Sequence, residues 1–292
     1  MRTRRPAQPG AGGTKRDNNR PDRDNRSGRS PGRGGPGRQS DRRPERRGDN
    51  HELLYGRNAV RETLRAGRRR FIKLLVHEGA AESERLTEIV ALARQRNVVV
   101  ETTSRDTLDA RVAGHHQGVV LEAGPYPYAT GDDLTELAED QSILLALDGI
   151  SDPQNLGTLL RTAEATGVRL VVIPADRAAH VTPAVVNASA GAVEHLHVSQ
   201  EVNLARWIER AKGAGFWVVG LDSEDAEPLF DTSMRPPVVL VVGSEGDGIR
   251  RLVRERCDIV VSLPMSGRIE SLNAAVAGSI ALYEVVRDAE DA

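Results

Sequence analysis

The sequence predicts an α/β protein with a C-terminal domain built on a parallel sheet, a small α/β domain before it, and a disordered basic tail at the N-terminus. Three observations predict this organisation. Residues 133–292 alternate apolar runs with helical segments, and residues 51–124 repeat the alternation on a smaller scale. Residues 1–50 contain almost no side chain able to build a core. Residues 125–132, which include two prolines, are predicted to link the domains.

Charge is divided unevenly along the chain. Residues 1–50 hold 15 of the 40 Lys and Arg and 6 of the 42 Asp and Glu, so the tail carries +9 and the rest −11. Its few apolar residues cannot offset the entropy of ordering, which predicts disorder. A basic arm of this kind binds a polyanion by releasing counterions, most commonly nucleic acid and less commonly membrane lipid. A solubilising extension is the alternative interpretation.

Cysteine content and hydropathy indicate the cellular compartment of the protein. Cys257 is the only cysteine, so an internal disulfide and a zinc site of several cysteines are excluded, and we expect no metal. No apolar run reaches the roughly 18 to 20 residues that span a bilayer, and the arginine-rich start lacks a secretory signal. We therefore expect a cytoplasmic protein with no membrane contact.

The small domain is predicted from apolar patterning. Its elements are a helix over Asn58–Leu64, a strand over Phe71–Val76, a helix over Glu84–Arg96, a strand over Val98–Thr102, a short helix, and a strand over Val119–Glu122.

The larger domain alternates continuous apolar strands with helices, which predicts a parallel sheet covered on both faces. The strands are predicted over Ile143–Leu147, Leu170–Ile173, Phe216–Gly220, Val238–Val242 and Ile259–Ser262. The helices are predicted over Leu156–Thr166, Thr182–Ala190, Leu204–Ala214, Ile249–Arg256 and Leu272–Val286. Ligands of such sheets bind beyond the carboxyl ends of the strands.

A first polar cluster, Asp148–Ala165, follows the first of these strands. Asn155 stands at the predicted helix start, and Arg161 follows nearly two turns later. A functional site is one interpretation. The alternative is that Asn155 only caps the helix and Arg161 is a solvated surface cation.

Two further clusters follow later strands. Val242–Ile249 contains three glycines, which let a backbone turn tightly and approach a ligand, although an ordinary strand-to-helix turn has the same composition. Its spacing matches neither the P-loop nor the dinucleotide fingerprint. Leu263–Ala277 joins the last strand to the last helix. One interpretation is that Ser271 only caps that helix, and the other is that backbone N–H groups there point at a ligand.

Together and in this order, the three clusters resemble the three motifs of the SpoU (TrmH) branch of the SPOUT methyltransferases. The small domain, with its segments Tyr55–Val60 and His116–Val119, is similar to the L30e-like substrate-binding domain of RlmB-type enzymes. The resemblance covers roughly Leu53 to Arg287 and leaves out the basic tail.

The resemblance implies a deep trefoil knot in the C-terminal domain, S-adenosyl-L-methionine as cofactor, and a homodimer with the last helix at the interface. By the same resemblance, the cofactor is expected to be held around Leu221, Gly243, Leu263, Met265 and Leu272. Reactive polar positions would be Asn155, Arg161, Glu245, Ser271 and Asn273. Contact with substrate RNA is expected from Arg57, Asn58, His116 and Gln117.

The function that the resemblance implies is 2′-O-ribose methylation of RNA, in its sharpest form on a guanosine of 23S rRNA. Transfer RNA is the alternative substrate, and a non-catalytic RNA-binding factor in ribosome assembly is the alternative class. The family proposal makes Arg161 the base. Because an arginine side chain has a pKa above about 12, a charged arginine that stabilises the developing alkoxide is the simpler physical alternative.

Overall fold

A computed structural model of the chain describes residues 51–80, 83–130, 134–138, 141–224, 226–269 and 271–290. The predicted disordered tail, residues 1–50, lies outside these ranges, as do two residues of the predicted linker. The domain boundaries that the sequence suggests therefore stay predictions.

The first half of the described chain forms a four-stranded sheet. Its strands are β1 (Glu52–Tyr55), β2 (Phe71–His77), β3 (Val99–Thr103) and β4 (Val119–Ala123). Its helices are α1 (Arg57–Ala66), α2 (Glu84–Gln95) and α3 (Arg105–Asp109). The strand order is β1-β4-β2-β3, and only β2 and β3 run parallel. The sequence did not predict β1, because a four-residue strand that buries only Leu54 is too short to show a period.

The second half forms a seven-stranded sheet in which every neighbouring pair is parallel, which confirms the predicted sheet type. Its strands are β5 (Ile143–Asp148), β6 (Leu170–Pro174), β7 (Val198–Glu201), β8 (Trp217–Leu221), β9 (Glu227–Pro228), β10 (Val238–Gly243) and β11 (Ile259–Ser262). The order is β7-β6-β5-β10-β8-β11-β9. The central strands β5 and β10 are buried along their whole length. The unpredicted strands β7 and β9 are short polar edge strands, which lack the apolar run of a covered strand.

Helices cover both faces of the parallel sheet. They are α4 (Leu134–Leu137), α5 (Pro153–Ala165), α6 (Pro183–Ala188), α7 (Leu204–Gly213), α8 (Arg251–Arg254) and α9 (Ala274–Glu290). No helix in the described ranges is long and apolar enough to cross a bilayer. The trefoil knot implied by the resemblance stays a prediction.

The capping interpretations of Asn155 and Ser271 are not what the structure shows. Asp152, not Asn155, caps α5: its Oδ1 accepts a hydrogen bond from the Gln154 amide at 3.0 Å. Asn273, not Ser271, caps α9, because Asn273 Oδ1 accepts from the amides of Ala275 at 2.9 Å and Val276 at 3.2 Å. The side chains of Asn155 and Ser271 are therefore not occupied by capping.

The predicted helix Ile249–Arg256 is also wrong in extent, since α8 spans only Arg251–Arg254. Arg250 has extended backbone, with ψ 140°. Its amide donates to Asp148 Oδ2 at 2.7 Å, and the Ile249 amide donates to Asp222 Oδ2 at 3.1 Å. Two carboxylates, at the ends of the strands β5 and β8 on either side of β10, thus replace the first helical turn.

Helix α9 packs closely on α5 and β10. A side chain at Gly278 would meet Leu159 Cδ2 at 2.7 Å and Val242 Cγ2 at 3.2 Å, so the close approach needs glycine. Thr162 Oγ1 and Ser279 Oγ are 2.8 Å apart. This packing places the N-terminus of α9 beside the ends of the central strands.

A buried polar cluster joins the four-stranded sheet to the parallel-sheet half. The Arg69 guanidinium lies 2.8 Å from Glu194 Oε1, and both side chains are fully buried. Tyr126, in the predicted linker, is 4% exposed and donates its hydroxyl to the Leu196 carbonyl at 2.7 Å. Burial raises the pKa of Tyr126 to about 12, so the phenol keeps its proton at neutral pH. The segment between the two halves is therefore anchored at Tyr126.

Candidate functional site

A cavity of about 630 Å³ opens at the carboxyl ends of β8, β10 and β11. The five residues that the resemblance assigns to the cofactor all line it, namely Leu221, Gly243, Leu263, Met265 and Leu272. They are contributed by strand ends and by the segment before α9. The cavity therefore lies where the parallel sheet predicts a ligand.

The glycine-rich loop after β10 forms one wall of this cavity. Ser244 and Gly248 exchange backbone hydrogen bonds of 3.0 and 3.2 Å, which close the loop. A Cβ at Gly243 would lie 2.1 Å from the Gly248 carbonyl carbon, and Gly248 has φ +61°. The backbone clash at Gly243 requires glycine, and the left-handed conformation at Gly248 favours it. The loop is thus held tightly and exposes its backbone to the cavity.

Two carboxylates that the sequence analysis did not single out anchor the end of this loop. Asp148 is fully buried at the end of β5, and besides the Arg250 amide it accepts Arg250 Nε at 2.6 Å. Asp222 follows β8, lines the cavity, and accepts the Ile249 amide. The signal was available, since each aspartate ends or directly follows an apolar strand of the predicted sheet.

We expect Asp148→Asn to lower the free energy of unfolding by about 1–3 kcal/mol, because the amide group presents N–H donors to the Arg250 donors. The amides of Ser244 and Gly248 should then exchange faster with deuterium. Urea unfolding and hydrogen exchange measure both effects.

Asp247→Asn is the matched control, because the Asp247 carboxylate is exposed in the same loop. Its unfolding free energy should stay within about 0.5 kcal/mol of wild type. Equal stability and equal exchange in the two variants would contradict the anchoring role of Asp148.

A chain of hydrogen bonds joins the three motifs at the cavity. Asn155 Nδ2 donates to Glu245 Oε1, and Asn155 Oδ1 accepts from Asn273 Nδ2 at 2.9 Å. Glu245 lines the cavity, while Asn273 caps α9. The chain thus runs from the N-terminus of α9 through α5 to a carboxylate at the cavity, and it fixes how that carboxylate is oriented.

The other two predicted reactive residues lie differently. Ser271 lines the cavity, and its side chain is exposed. Arg161 is exposed on α5, outside the cavity lining, and its side chain has no hydrogen-bond or ion-pair partner among the residues that the structure describes. The fold therefore joins Asn155, Glu245 and Asn273 by hydrogen bonds but leaves Arg161 apart from them.

Charge at the cavity is largely negative. Asp222, Glu224, Glu245 and Asp247 line it together with Arg251 and Arg254. Arg251 Nη1 pairs with Glu255 at 2.6 Å, and Arg254 Nη1 lies 3.6 Å from Asp222. The cavity thus offers both apolar surface and carboxylates, which suits an organic cation with an apolar or aromatic part.

The residues predicted to contact RNA form one group on the four-stranded half. The Arg57 amide donates to Gln117 Oε1 at 2.9 Å, and Arg57 Nε donates to the Gln117 carbonyl at 3.1 Å. His116 is 7% exposed, with Nε2 2.9 Å from Asp109 and Nδ1 accepting the Gly118 amide at 3.0 Å. His116 holds the turn, while Asn58 and Gln117 are exposed. Contact of the group with RNA stays a prediction.

Two family models match the chain. The SpoU rRNA methylase family matches residues 142–283, and the substrate-binding domain of RNA 2′-O ribose methyltransferases matches residues 53–129. The first match contains the cavity and its three motifs. The second covers β1 to β4 and the segment with Tyr126.

The similarity to curated relatives extends over nearly the full length of those proteins. YacO of Bacillus subtilis, named for the TrmH family of tRNA/rRNA methyltransferases, is 42% identical over 240 residues, 81% of this chain and 96% of that protein. A protein of Staphylococcus aureus with the same family name is 39% identical over 242 residues, 82% of this chain and 97% of its own.

Solved structures agree with the fold. The SpoU methyltransferase AviRb of Streptomyces viridochromogenes, in complex with AdoMet, superposes with a TM-score of 0.69 at 26% identity, over 83% of this chain and 92% of that one. An RNA 2′-O ribose methyltransferase gives a TM-score of 0.70 at 25% identity, over 82% of this chain and 89% of that one.

Proposed function

Because the chain belongs to the SpoU (TrmH) family of RNA methyltransferases, we propose that it methylates a ribose 2′-hydroxyl of RNA with S-adenosyl-L-methionine as donor. One observation carries the proposal. The hydrogen-bonded chain Glu245–Asn155–Asn273 joins all three motifs beside a cavity lined by every residue expected to hold the cofactor. A protein that kept this fold only to bind RNA would not need these hydrogen-bonded residues beside a cofactor cavity.

The cavity fits this cofactor. Its volume of about 630 Å³ falls within the roughly 300 to 1,000 Å³ of small-molecule sites. Leu221, Leu263 and Leu272 would hold the adenine and the apolar part, and the backbone around Gly243 would bind polar edges. When bound, S-adenosylmethionine supplies a methyl group already activated by its sulfonium. Asp222 and Glu245 would complement its positive charges.

With an activated methyl group, the protein must mainly align the ribose 2′-oxygen and remove its proton. Glu245 is oriented for this by Asn155, and Ser271 lines the same cavity. Arg161 is exposed and has no partner among the residues that the structure describes, so its charge is available to an RNA phosphate or to the developing charge on oxygen. We assign alignment of the ribose to Glu245 and Ser271 and charge stabilisation to Arg161, and the proton of the 2′-hydroxyl passes to solvent water.

We further propose that two copies form a dimer through α9. Val276, Ile280 and Tyr283 are 46%, 37% and 57% exposed, and their spacing puts them on one face of the helix. A second copy would cover this apolar face. Because α5 packs on α9, such a contact would bring Arg161 of one copy near the cavity of the other.

The substrate we propose is a guanosine of 23S rRNA, in the cytoplasm. The substrate-binding domain over residues 53–129 supports a large structured RNA, because it adds a second contact surface to the catalytic half. Transfer RNA is the second candidate, because the relatives are named for both tRNA and rRNA.

The decisive experiment maps 2′-O-methyl nucleosides by mass spectrometry in 23S rRNA and tRNA from cells with and without the protein. We expect one 2′-O-methylguanosine of 23S rRNA to disappear and to return with the wild-type chain. A loss confined to tRNA would favour the second candidate. No change in either RNA would contradict methyl transfer and favour an assembly factor.

A further inference from the structure

Arg177 lies in the turn after β6 and is exposed. Its backbone has φ +57°, a left-handed conformation that is costly for a residue other than glycine or asparagine. Its side chain has no hydrogen-bond or ion-pair partner among the described residues, and neither has the exposed neighbour Asp176. The turn thus holds a cation in solvent without any internal contact that explains it.

Among the described residues after the tail, cations without a partner are a minority. The residues after the tail carry a net charge of −11, and many of their arginines are ion-paired. Examples are Arg65 with Glu88, Arg210 with Glu201, and Arg256 with Glu209. A polyanion can approach such a surface only where cations are free of internal carboxylates.

The turn is attached to the wall of the cavity. The Ala179 amide donates to the Ile150 carbonyl at 2.8 Å, so the turn runs beside the segment that follows β5. The next residue towards the cavity is Gly149, where a Cβ would lie 3.9 Å from Ser244 Cβ, and Ser244 lines the cavity. The turn of Arg177 is therefore connected by one hydrogen bond to the segment that passes the glycine-rich loop after β10.

The same turn is attached on its other side to the four-stranded half. The Val181 amide donates to the Tyr128 hydroxyl at 2.8 Å, and α6 begins two residues later. Asn187, at the far part of α6, donates to the Tyr55 carbonyl at 3.0 Å. Tyr55 leads through Gly56 into Arg57 and Asn58, which are predicted to contact RNA. The turn and α6 thus link that predicted contact surface to the segment beside the cavity.

From this placement we propose that Arg177 binds a backbone phosphate of the RNA as the strand passes from the four-stranded half to the cavity. The inference rests on the proposed function, because it takes RNA as the substrate. The turn that carries Arg177 is held by hydrogen bonds on both sides. A phosphate bound by Arg177 would therefore have a fixed position relative to the reacting ribose. Arg177 is then a substrate-positioning residue and touches neither cofactor nor reacting atoms.

The test measures binding of a 23S rRNA transcript to the full chain at several salt concentrations. Arg177→Ala should weaken binding by about 3- to 10-fold at low salt. The slope of log K against log salt should become less negative by about 0.7 to 0.9. Arg177→Lys should restore most of the slope, because a phosphate contact needs the charge. S-adenosylmethionine affinity, measured by calorimetry, should not change.

Two further variants keep the result interpretable. Arg177→Gly removes the side chain where the backbone favours glycine, so it should bind RNA as weakly as Arg177→Ala while remaining at least as stable as wild type. Arg235→Ala removes an exposed arginine that has no partner among the described residues and lies just before β10, at the amino ends of the strands, and it should bind like wild type. Equal slopes for wild type, Arg177→Ala and Arg235→Ala would overturn the proposal.

The outcomes separate this inference from the proposed function. If the wild-type chain methylates RNA but the Arg177 variants keep the wild-type slope, only the phosphate contact is wrong. If the wild-type chain transfers no methyl group to any RNA, the proposed function is wrong, and the salt slopes still decide whether Arg177 contacts the transcript.

Discussion

Arg161→Ala is expected to reduce methyl transfer to RNA by about 100- to 1,000-fold, the effect of removing one preorganised charge from a developing oxyanion. Its affinity for S-adenosylmethionine should stay at the wild-type value, because Arg161 lies outside the cavity that would bind the cofactor. Single-turnover methylation of a 23S rRNA transcript measures the first effect, and calorimetry measures the second.

Arg206→Ala is the matched control for this variant. Arg206 is also an exposed helical arginine whose side chain lacks a partner among the described residues, and it lies on α7, outside the cavity lining. It should transfer methyl groups at the wild-type rate. If Arg161→Ala were as active as Arg206→Ala, both roles considered for Arg161, base and charge stabiliser, would be wrong.

Mixing two inactive variants tests whether Arg161 acts on the cavity of its own chain or of a second copy. In a mixed dimer of Arg161→Ala and Glu245→Ala, one site would keep both groups if each site takes Arg161 from the partner. Statistical mixing then gives about a quarter of the wild-type activity in a symmetric dimer. Activity no higher than that of either variant alone would show that Arg161 acts within its own chain.

The sequence predicted the parallel sheet well because its central strands are apolar throughout. β5 and β10 bury every residue, so their patterns are unmistakable. The edge strand β7 has only four residues, one apolar followed by three polar, and no periodicity distinguishes such a segment from a loop. Residues 249–250 have the composition of a helix start, but Asp148 and Asp222 hold them extended. Such tertiary hydrogen bonds have no signature in local sequence.

The candidate site, like the fold, could be predicted only in part from the sequence. Motif resemblance identified Asn155, Glu245 and Asn273, which the fold brings into one hydrogen-bonded chain. It did not identify Asp148 or Arg177, because their roles depend on contacts between separate strand ends. Composition of a strand end shows that polar residues gather there, but only the packing shows which of them are buried, paired or free.

The second large effect concerns the buried pair Arg69–Glu194. Burial alone would lower the pKa of Arg69, but hydrogen bonds and charge from Glu194 outweigh it and raise that pKa. Arg69→Met would leave the fully buried Glu194 carboxylate without its main partner, which costs about 3–5 kcal/mol of unfolding free energy. With typical stabilities of about 5–15 kcal/mol, urea unfolding should show a much lower midpoint.

The double variant Arg69→Met, Glu194→Leu separates the charge from the packing. Replacing both partners of a buried pair by apolar residues is often neutral or stabilising, so we expect unfolding free energy near the wild-type value. A double variant as unstable as Arg69→Met would show that the loss comes from packing around Arg69 and not from the unpaired carboxylate.

The double variant also tests what the pair does for function. Arg69 additionally binds Glu52 at 2.5 Å and the Gly124 carbonyl at 3.1 Å, so it ties both ends of the four-stranded half to Glu194 in the other half. If the pair fixes the orientation of the two halves, the stable double variant should raise the KM for RNA while S-adenosylmethionine affinity stays unchanged. An unchanged KM would mean that Tyr126 and its hydrogen bonds are sufficient to hold that orientation.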